Sequence, residues 1–389
     1  MIKNITQTLK RLHITFLLFF VFSSFLSFAA VDITKFSGGD AISADLSSGS
    51  SSEGFTTLGD FVLKANALDD FEDGNDQTII LEAPYNWEFK PGQGTIASIG
   101  GITGTSVNVT SDVITITFSA ASVAVGDHIT VSGIQVKAQV KTPLSSSAIV
   151  RSGGTAVIEG FEVNSSSGDL KQIAGEFTKL LVLFPGETAA PGTEDGKTGT
   201  PAAQLAGVPF DIIVHALDNY GNIATNIDDV GFTITSGSYE VSFAGSSMLF
   251  QEGKATVNAI FRESGEFTVT VIRDLINLTS NEIEIVSGPF SKLQILLPGE
   301  EYKPGSEFGK TGTLDPVAYT AGQVYTVRVN AVDENWNVVE SSHQISIQTN
   351  ESVPLELASA PLNNGTLTLS NIIFKTAGTY SLNVIDIED

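Results

Sequence analysis

Apolar and polar residues alternate with a period of two along most of the chain, and no segment carries a convincing helical period. In Lys254 to Phe261, Ala255, Val257, Ala259 and Phe261 fall on one face, with Lys254, Thr256 and Asn258 on the other. Phe267, Val269 and Val271 alternate likewise, as do Tyr380, Leu382 and Val384. Short runs rich in Val, Ile, Thr and Phe are broken by Gly, Asn, Asp and Ser every 8 to 12 residues or so, which predicts an all-β chain of antiparallel sandwiches. In the first third, strands are expected at about 60–65, 78–83, 113–118, 128–140 and 156–163. Ser47 to Gly54 is rich in Ser and Gly and reads as a loop or a loose N-terminal arm.

The alternation is itself repeated. GEFTKLLVLFPGETAAPGTEDGKTGT from Gly175 is answered by GPFSKLQILLPGEEYKPGSEFGKTGT from Gly288, 113 positions later. AGVPFDIIVHALDNYGN then matches AGQVYTVRVNAVDENWN, and ESGEFTVTVI matches TAGTYSLNVI. A unit of this length is a repeated domain, each copy with its own core. The expected organisation is a segment 1–30 that is removed, an N-terminal sandwich over 31–174, one repeat over 175–287 and a second over 288–389. Little linker separates the repeats, which predicts a semi-rigid, end-to-end arrangement. Laid on the first copy, the second stops before the counterpart of Asn281 to Val286, so its last strand is expected to be missing and the chain to be a fragment of a longer one.

Residues 1–30 read as a secretory signal peptide: Lys3, Lys10 and Arg11 precede an apolar run from Ile14 to Phe28, which ends in small residues at Ser27, Ala29 and Ala30. The run is shorter than the roughly 20 apolar residues a spanning helix needs, so no membrane span is expected in the mature protein. Cleavage would take the formal charge from −24 to −27. Nucleic acid is excluded as a partner, because phosphate binding needs clustered Lys and Arg. No cysteine is present, which rules out disulfides, thiolate metal sites and a cysteine nucleophile.

Candidate chemistry is sparse. GKTGT occurs in both copies, but a phosphate-binding loop needs four residues between its first Gly and Gly-Lys-Thr, with a helix following. Here Gly192 and Gly305 leave three, and a β pattern follows. The motif is expected to be a turn or a contact between neighbouring domains. Neither a Gly-x-Ser-x-Gly elbow nor a His-Glu-x-x-His pair occurs. His128, His215 and His343 fall one to a domain, and His215, aligned with Asn330, reads as a strand-surface residue. The acidic turn holding Asp69, Asp70, Asp73 and Asp76 is a weak calcium candidate that lacks EF-hand spacing, since Phe71 and Ile80 fall where oxygen donors belong; calcium is the one cofactor considered. Tyr85, Trp87 and Phe89 would share a face if they form a strand, giving either core packing or a sugar-stacking platform. Trp336 sits in a turn, where it would pack on a neighbouring domain or contact a ligand. Asp and Asn at the ends of Asp218-Asn219-Tyr220-Gly221-Asn222 and Asp333-Glu334-Asn335-Trp336-Asn337 are expected to accept backbone hydrogen bonds as Asx turns do.

The pattern AGVPFDIIVHALDNYGN, a Phe-rich strand and then SGEFTVTV resembles the bacterial Ig-like repeats of large exported surface proteins and adhesins, of the invasin and intimin kind, over Gly175 to Asp389. Gly378-x-Tyr380 is similar to the start of the sixth strand of immunoglobulin domains, and the resemblance implies that Tyr380 makes a tyrosine-corner hydrogen bond. It further implies export and a structural or adhesive role. The expected function is a non-catalytic stalk or adhesive segment at the cell surface, whose partners are a surface protein or glycan and the neighbouring domains of the same polypeptide. The alternative is an accessory carbohydrate-binding region of a secreted polysaccharide-degrading enzyme.

Overall fold

The computed structural model describes residues 30–389 except 69, 192, 194, 228–230, 238–239, 244–247, 313–317, 350–358 and 389. The expected signal peptide and Asp69 lie outside the described residues. No α-helix occurs among the described residues, and one 3₁₀ turn, Ala44–Leu46, is present. The polypeptide divides into two compact units, one ending at Ile173 and the other beginning at Ala174.

The first unit packs a four-stranded sheet (Asp32–Thr34, Phe61–Lys64, His128–Ser132, Thr95–Ile99 in spatial order) with a five-stranded one (Ser166–Leu170, Ser147–Gly153, Gly74–Glu82, Val113–Ala120, Ile102–Val109). Their inner faces supply one core that includes Phe61, Leu63, Ile79, Leu81, Ile114, Ile116, Phe118 and Ile129. Alternation explains it: Val113–Ala120 buries every second residue, as a strand facing a core on one side must.

Two expectations need correction here. The run 128–140 is two strands, His128–Ser132 and Gln135–Ala138, broken at Gly133, which adopts φ 72°. The stretch 156–163 is no strand; Ala156, Ile158 and Phe161 are buried, but the backbone winds around Arg151, which donates to the carbonyls of Ala156 and Phe161. Ser47 to Gly54 is a loop, one of the two forms expected, and it is fastened to the sandwich. Ser47 is buried and bonds Ala44 O, Ser48 N donates to Ala138 O at 3.0 Å, and Glu53 pairs with Lys137 at 2.6 Å.

In the second unit the first repeat has a sheet of Lys179–Leu183, Phe210–Leu217, Lys254–Phe261 and Val241–Phe243. Against it lie Met248–Leu249, Gly231–Ser236, Val269–Arg273 and Ile276–Thr279 in one sheet, and Gln204–Leu205, Ile283–Val286 and Gly265–Phe267 in another. Ile283–Val286 runs parallel to Gln204–Leu205 and antiparallel to Gly265–Phe267. Its Ile283 and Ile285 belong to the same core as Val214, Phe261, Val269 and Val271.

The second repeat re-forms this plan with Lys292–Leu296, Val324–Val332 and Thr366–Ile373 opposite Ala360–Pro361, Gln344–Thr349 and Leu382–Asp386. Leu382–Asp386 stands in the place of Val269–Arg273.

Candidate functional site

The residues that recur in both copies hold the repeats closed. Pro185-Gly186-Glu187 and Gly196-Lys197-Thr198 lie on a small hairpin, Glu187–Ala189 paired with Lys197–Gly199; Glu300–Tyr302 and Lys310–Gly312 repeat it. GKTGT is thus a strand of a hairpin and no phosphate loop. Lys197 Nζ meets Glu187 Oε1 at 2.7 Å and donates to Val182 O at 3.2 Å, while Glu187 Oε2 accepts from Phe184 N at 3.0 Å. Lys310 and Glu300 pair at 2.7 Å, with Leu297 N donating to Glu300 Oε2 at 2.8 Å. A carboxylate as deeply buried as Glu187 is tolerable only when paired and hydrogen-bonded. That requirement explains why Glu and Lys are kept ten residues apart in both copies.

This hairpin also covers the outer side of the sheet. Leu181, Leu183 and Leu217 form a small apolar cluster with Ala189 and Ile223, so the end of Phe210–Leu217 is buried on both faces. His215 is therefore only 6% exposed, and the aligned Asn330 is fully buried; neither is the surface residue expected. The copies solve the burial differently. Across from Asn330 stands Gln294, whose Oε1 accepts from Asn330 Nδ2 at 2.8 Å. Opposite His215 stands Leu181, which offers no acceptor. Loss of water, and secondarily the charge of cross-strand Lys254, depress the His215 pKa from 6.5 to about 4.

The turns after Phe210–Leu217 and Val324–Val332 are built on a buried aspartate. Asp218 Oδ1 accepts from the backbone N–H groups of Tyr220 and Asn222 at 2.8 and 2.9 Å. Its Oδ2 accepts from Gly175 N and Asn222 Nδ2, both at 2.8 Å. Asp333 does the same for Gly288 N, Asn337 N and Asn337 Nδ2 at 2.8, 2.8 and 2.9 Å. The Asx-turn reading of Asp is thus correct, and the carboxylate also fastens the first residue of its own repeat.

In the second copy the turn reaches the preceding repeat. Asn337 Oδ1 accepts from Ser264 N at 2.8 Å, and its Nδ2 donates to Arg262 O at 2.8 Å as well as to Asp333. Both N–H donors and the carbonyl oxygen of the amide are used, with the side chain fully buried. Asn335 Nδ2 donates to Ala206 O at 3.2 Å. Gly207 lies directly under that amide, where an added Cβ would come within 2.3 Å of it. Lys303 and Glu240 meet at 3.5 Å beside these bonds. Between the repeats Gly207, Glu240, Arg262 and Asn335 line a cleft of about 570 Å³ together with Glu307, Glu334 and Trp336.

Trp336 stacks under Lys292 Nζ, 3.5 Å from the ring centroid, and donates from Nε1 to Glu307 O at 3.2 Å. Its backbone is left-handed at φ 70°, where the first copy has Gly221. Tyr302, whose hydroxyl donates to Trp336 O at 2.9 Å, and the ring contacts hold it there. Trp336 thus packs within its own repeat, and its neighbours Asn335 and Asn337 cross to the other. The other aromatic candidates separate. Trp87 is 3% exposed and lies in the core with Phe89, whereas Tyr85 is 89% exposed. The strand begins only at Trp87, because Asn86 turns at φ 66°, so the expected common face of Tyr85 and Trp87 does not form.

The described acidic candidates serve the turn itself. Asp70 is buried, and its Oδ2 accepts from Asn66 N and Ala67 N at 2.6 and 2.8 Å. Asp73 Oδ1 accepts from Ser122 N at 2.9 Å, and Asp76 is exposed with φ 50°. Among the described residues no three His, Asp or Glu side chains gather as a metal ion would require. No helix among them is long and apolar enough to cross a membrane. Sequence reading missed Arg151 as a core residue and Glu187–Lys197 as a pair. Only the repetition of PGE and GKT signalled the second.

No protein-family model and no curated protein matches the sequence. Solved structures do. The Escherichia coli adhesin FdeC is matched over 93% of this chain and 96% of its own, at 9% identity and a TM-score of 0.32. Yersinia pseudotuberculosis InvD is matched over 89% and 82%, at 14% identity and a TM-score of 0.29. The D0-D1 domain of intimin is matched over 48% and 87%, at 17% identity and a TM-score of 0.18. The protein is all-β, built of antiparallel sheets, and the solved structures it is similar to include bacterial adhesins and domains of intimin.

Proposed function

We propose that the protein is a non-catalytic stalk or adhesive segment displayed at a bacterial cell surface and exported through residues 1–30. One observation carries this reading: the residues kept in both copies are spent on mechanical closure. Glu187 and Lys197 lock the hairpin of one repeat, as Glu300 and Lys310 do in the other, and Asp333 positions Asn337 to clamp the preceding repeat by its backbone. A unit that is duplicated to extend a surface structure needs such closure and a reproducible joint, and it needs no shared reactive group. The strongly acidic balance suits a segment held in solvent at high exposure.

Expression of the full-length protein in a bacterium, followed by protease treatment of intact cells and N-terminal sequencing, tests this reading. The mature protein is expected to begin at Ala30 or Val31 and to be cleaved from outside. A product that keeps Met1 and survives protease on intact cells overturns the proposal.

A further inference from the structure

The two copies keep Asp and Asn at the ends of their turns and differ between them. Asn219, Tyr220 and Gly221 of the first repeat become Glu334, Asn335 and Trp336 in the second. Those three replacements all line the cleft of about 570 Å³ at the joint. Closure of the repeats accounts for the residues that are kept, but not for the ones that change. Only Asn335 of the three bonds across the joint through its side chain, to Ala206 O. The cleft falls within the roughly 300–1,000 Å³ of small-molecule sites.

This cleft gathers donors and acceptors that do not satisfy one another. Arg262 enters it from the first repeat, and Glu307 and Glu334 from the second. Among the described residues none of these three side chains makes an ion pair or a hydrogen bond, whereas Glu240 beside them is taken up by Lys303 at 3.5 Å. The backbone keeps the three groups in place. Arg262 N donates to Glu240 O at 3.0 Å, and its carbonyl accepts from Asn337 Nδ2. On the other wall, Gly305 N donates to Asn335 O at 2.8 Å and Trp336 Nε1 to Glu307 O at 3.2 Å. Gly305 has φ 75°, and a Cβ there would come within 2.8 Å of Glu240 Cβ.

The lining selects the class of ligand. A guanidinium only donates and a carboxylate only accepts. A cation would be met by Arg262, and a phosphate or carboxylate would be met by two carboxylates against one guanidinium. Adjacent hydroxyls on an uncharged ring accept from the guanidinium and donate to a carboxylate at the same time. Trp336 adds the apolar surface against which the C–H face of such a ring packs. We propose that the cleft between the repeats binds a neutral saccharide, with its hydroxyls shared between Arg262 and the carboxylates of Glu307 and Glu334. The inference rests on the adhesive form of the proposed function and gives it a ligand class.

The test applies the full-length protein to a microarray of neutral, sialylated and sulfated glycans, beside Arg262→Met and Glu334→Ala. Binding to neutral glycans is expected, with at least a tenfold loss of signal in each variant. Neither side chain holds the joint, so the melting curves of the variants are expected to match that of the unaltered protein. Should a variant fail to fold, hydrogen exchange of the unaltered protein with its bound neutral glycan decides, with slowed exchange expected at 305–307 and 334–336. No binding to neutral glycans, binding to acidic glycans alone, undiminished binding by both variants, or protection elsewhere overturns the proposal. Export and surface exposure are read separately by protease on intact cells, so loss of the saccharide reading leaves the stalk standing.

Discussion

His215 gives the second unit an acid-sensitive core position. The residue is 6% exposed, Leu181 faces it across the strand pair, and Nδ1 has no hydrogen-bond partner among the described residues. Protonation in the folded state would place a charge in this slot, which is why burial, helped by Lys254, holds the pKa at about 4 instead of 6.5. The unfolded state therefore binds more protons than the folded one between those values. Stability contributed by the neutral ring is whole above about pH 6.5 and is lost as pH falls toward 4. At about 1.4 kcal/mol for each of the roughly 2.5 pH units between the two values, the full loss is about 3.5 kcal/mol, of which about 3 kcal/mol has gone by pH 4. His215→Asn, the residue that the second repeat uses, removes the titration, and Leu181→Gln alongside it supplies the missing partner. The assay is urea unfolding of the full-length protein at several pH values from about 7.5 to about 4, followed by hydrogen-exchange mass spectrometry of peptides from Phe210–Leu217. Carboxylates titrate in both proteins, so the difference between them isolates the histidine. It should change by about 3 kcal/mol across the window, with the unaltered protein losing more. Parallel pH profiles for the two proteins would refute the reasoning.

Lys197→Met is expected to cost about 3–5 kcal/mol in chemical denaturation by stranding the Glu187 carboxylate, and Glu187→Leu with Lys197→Met should restore most of it. Asn337→Ala should cost about 1–3 kcal/mol for each group left unpaired, Ser264 N–H and Arg262 C=O, and should split one melting transition of the second unit into two in calorimetry. Asp70→Ala should lower the stability of the first unit by about 1–3 kcal/mol, measured by urea titration. The midpoint of the unaltered protein should not move on adding a chelator; a fall would instead assign calcium to the acidic turn.

The sandwich architecture was legible in the sequence because one-sided burial writes itself as alternation, as in Lys254–Phe261. It failed where burial is two-sided or irregular. His215 looked like a surface residue because nothing in its own strand reveals that the hairpin of Glu187 and Lys197 covers that face. The uninterrupted apolar run from Leu180 to Phe184, buried throughout, was the available signal. Residues 156–163 imitate a strand because their apolar side groups surround a buried Arg151, a tertiary feature with no local period. Tyr85 left the face of Trp87 through one left-handed residue, Asn86. At the joint, Asp333 and Asn337 could be read as turn formers, but the reach of Asn337 to Arg262 and Ser264 spans more than 70 residues and has no sequence signature.

The clamp of Asn337 is one-sided in what it recognises. Its targets across the joint are a backbone amide and a backbone carbonyl, as is the Ala206 carbonyl bound by Asn335. These groups exist whatever amino acids occupy positions 206, 262 and 264, provided the backbone passes through the same corner and Gly207 leaves room. Residue types there are free to drift without loosening the connection. A repeat of this kind can follow any sandwich that presents the same corner, so modules can be shuffled, duplicated or deleted by recombination without redesigning the join.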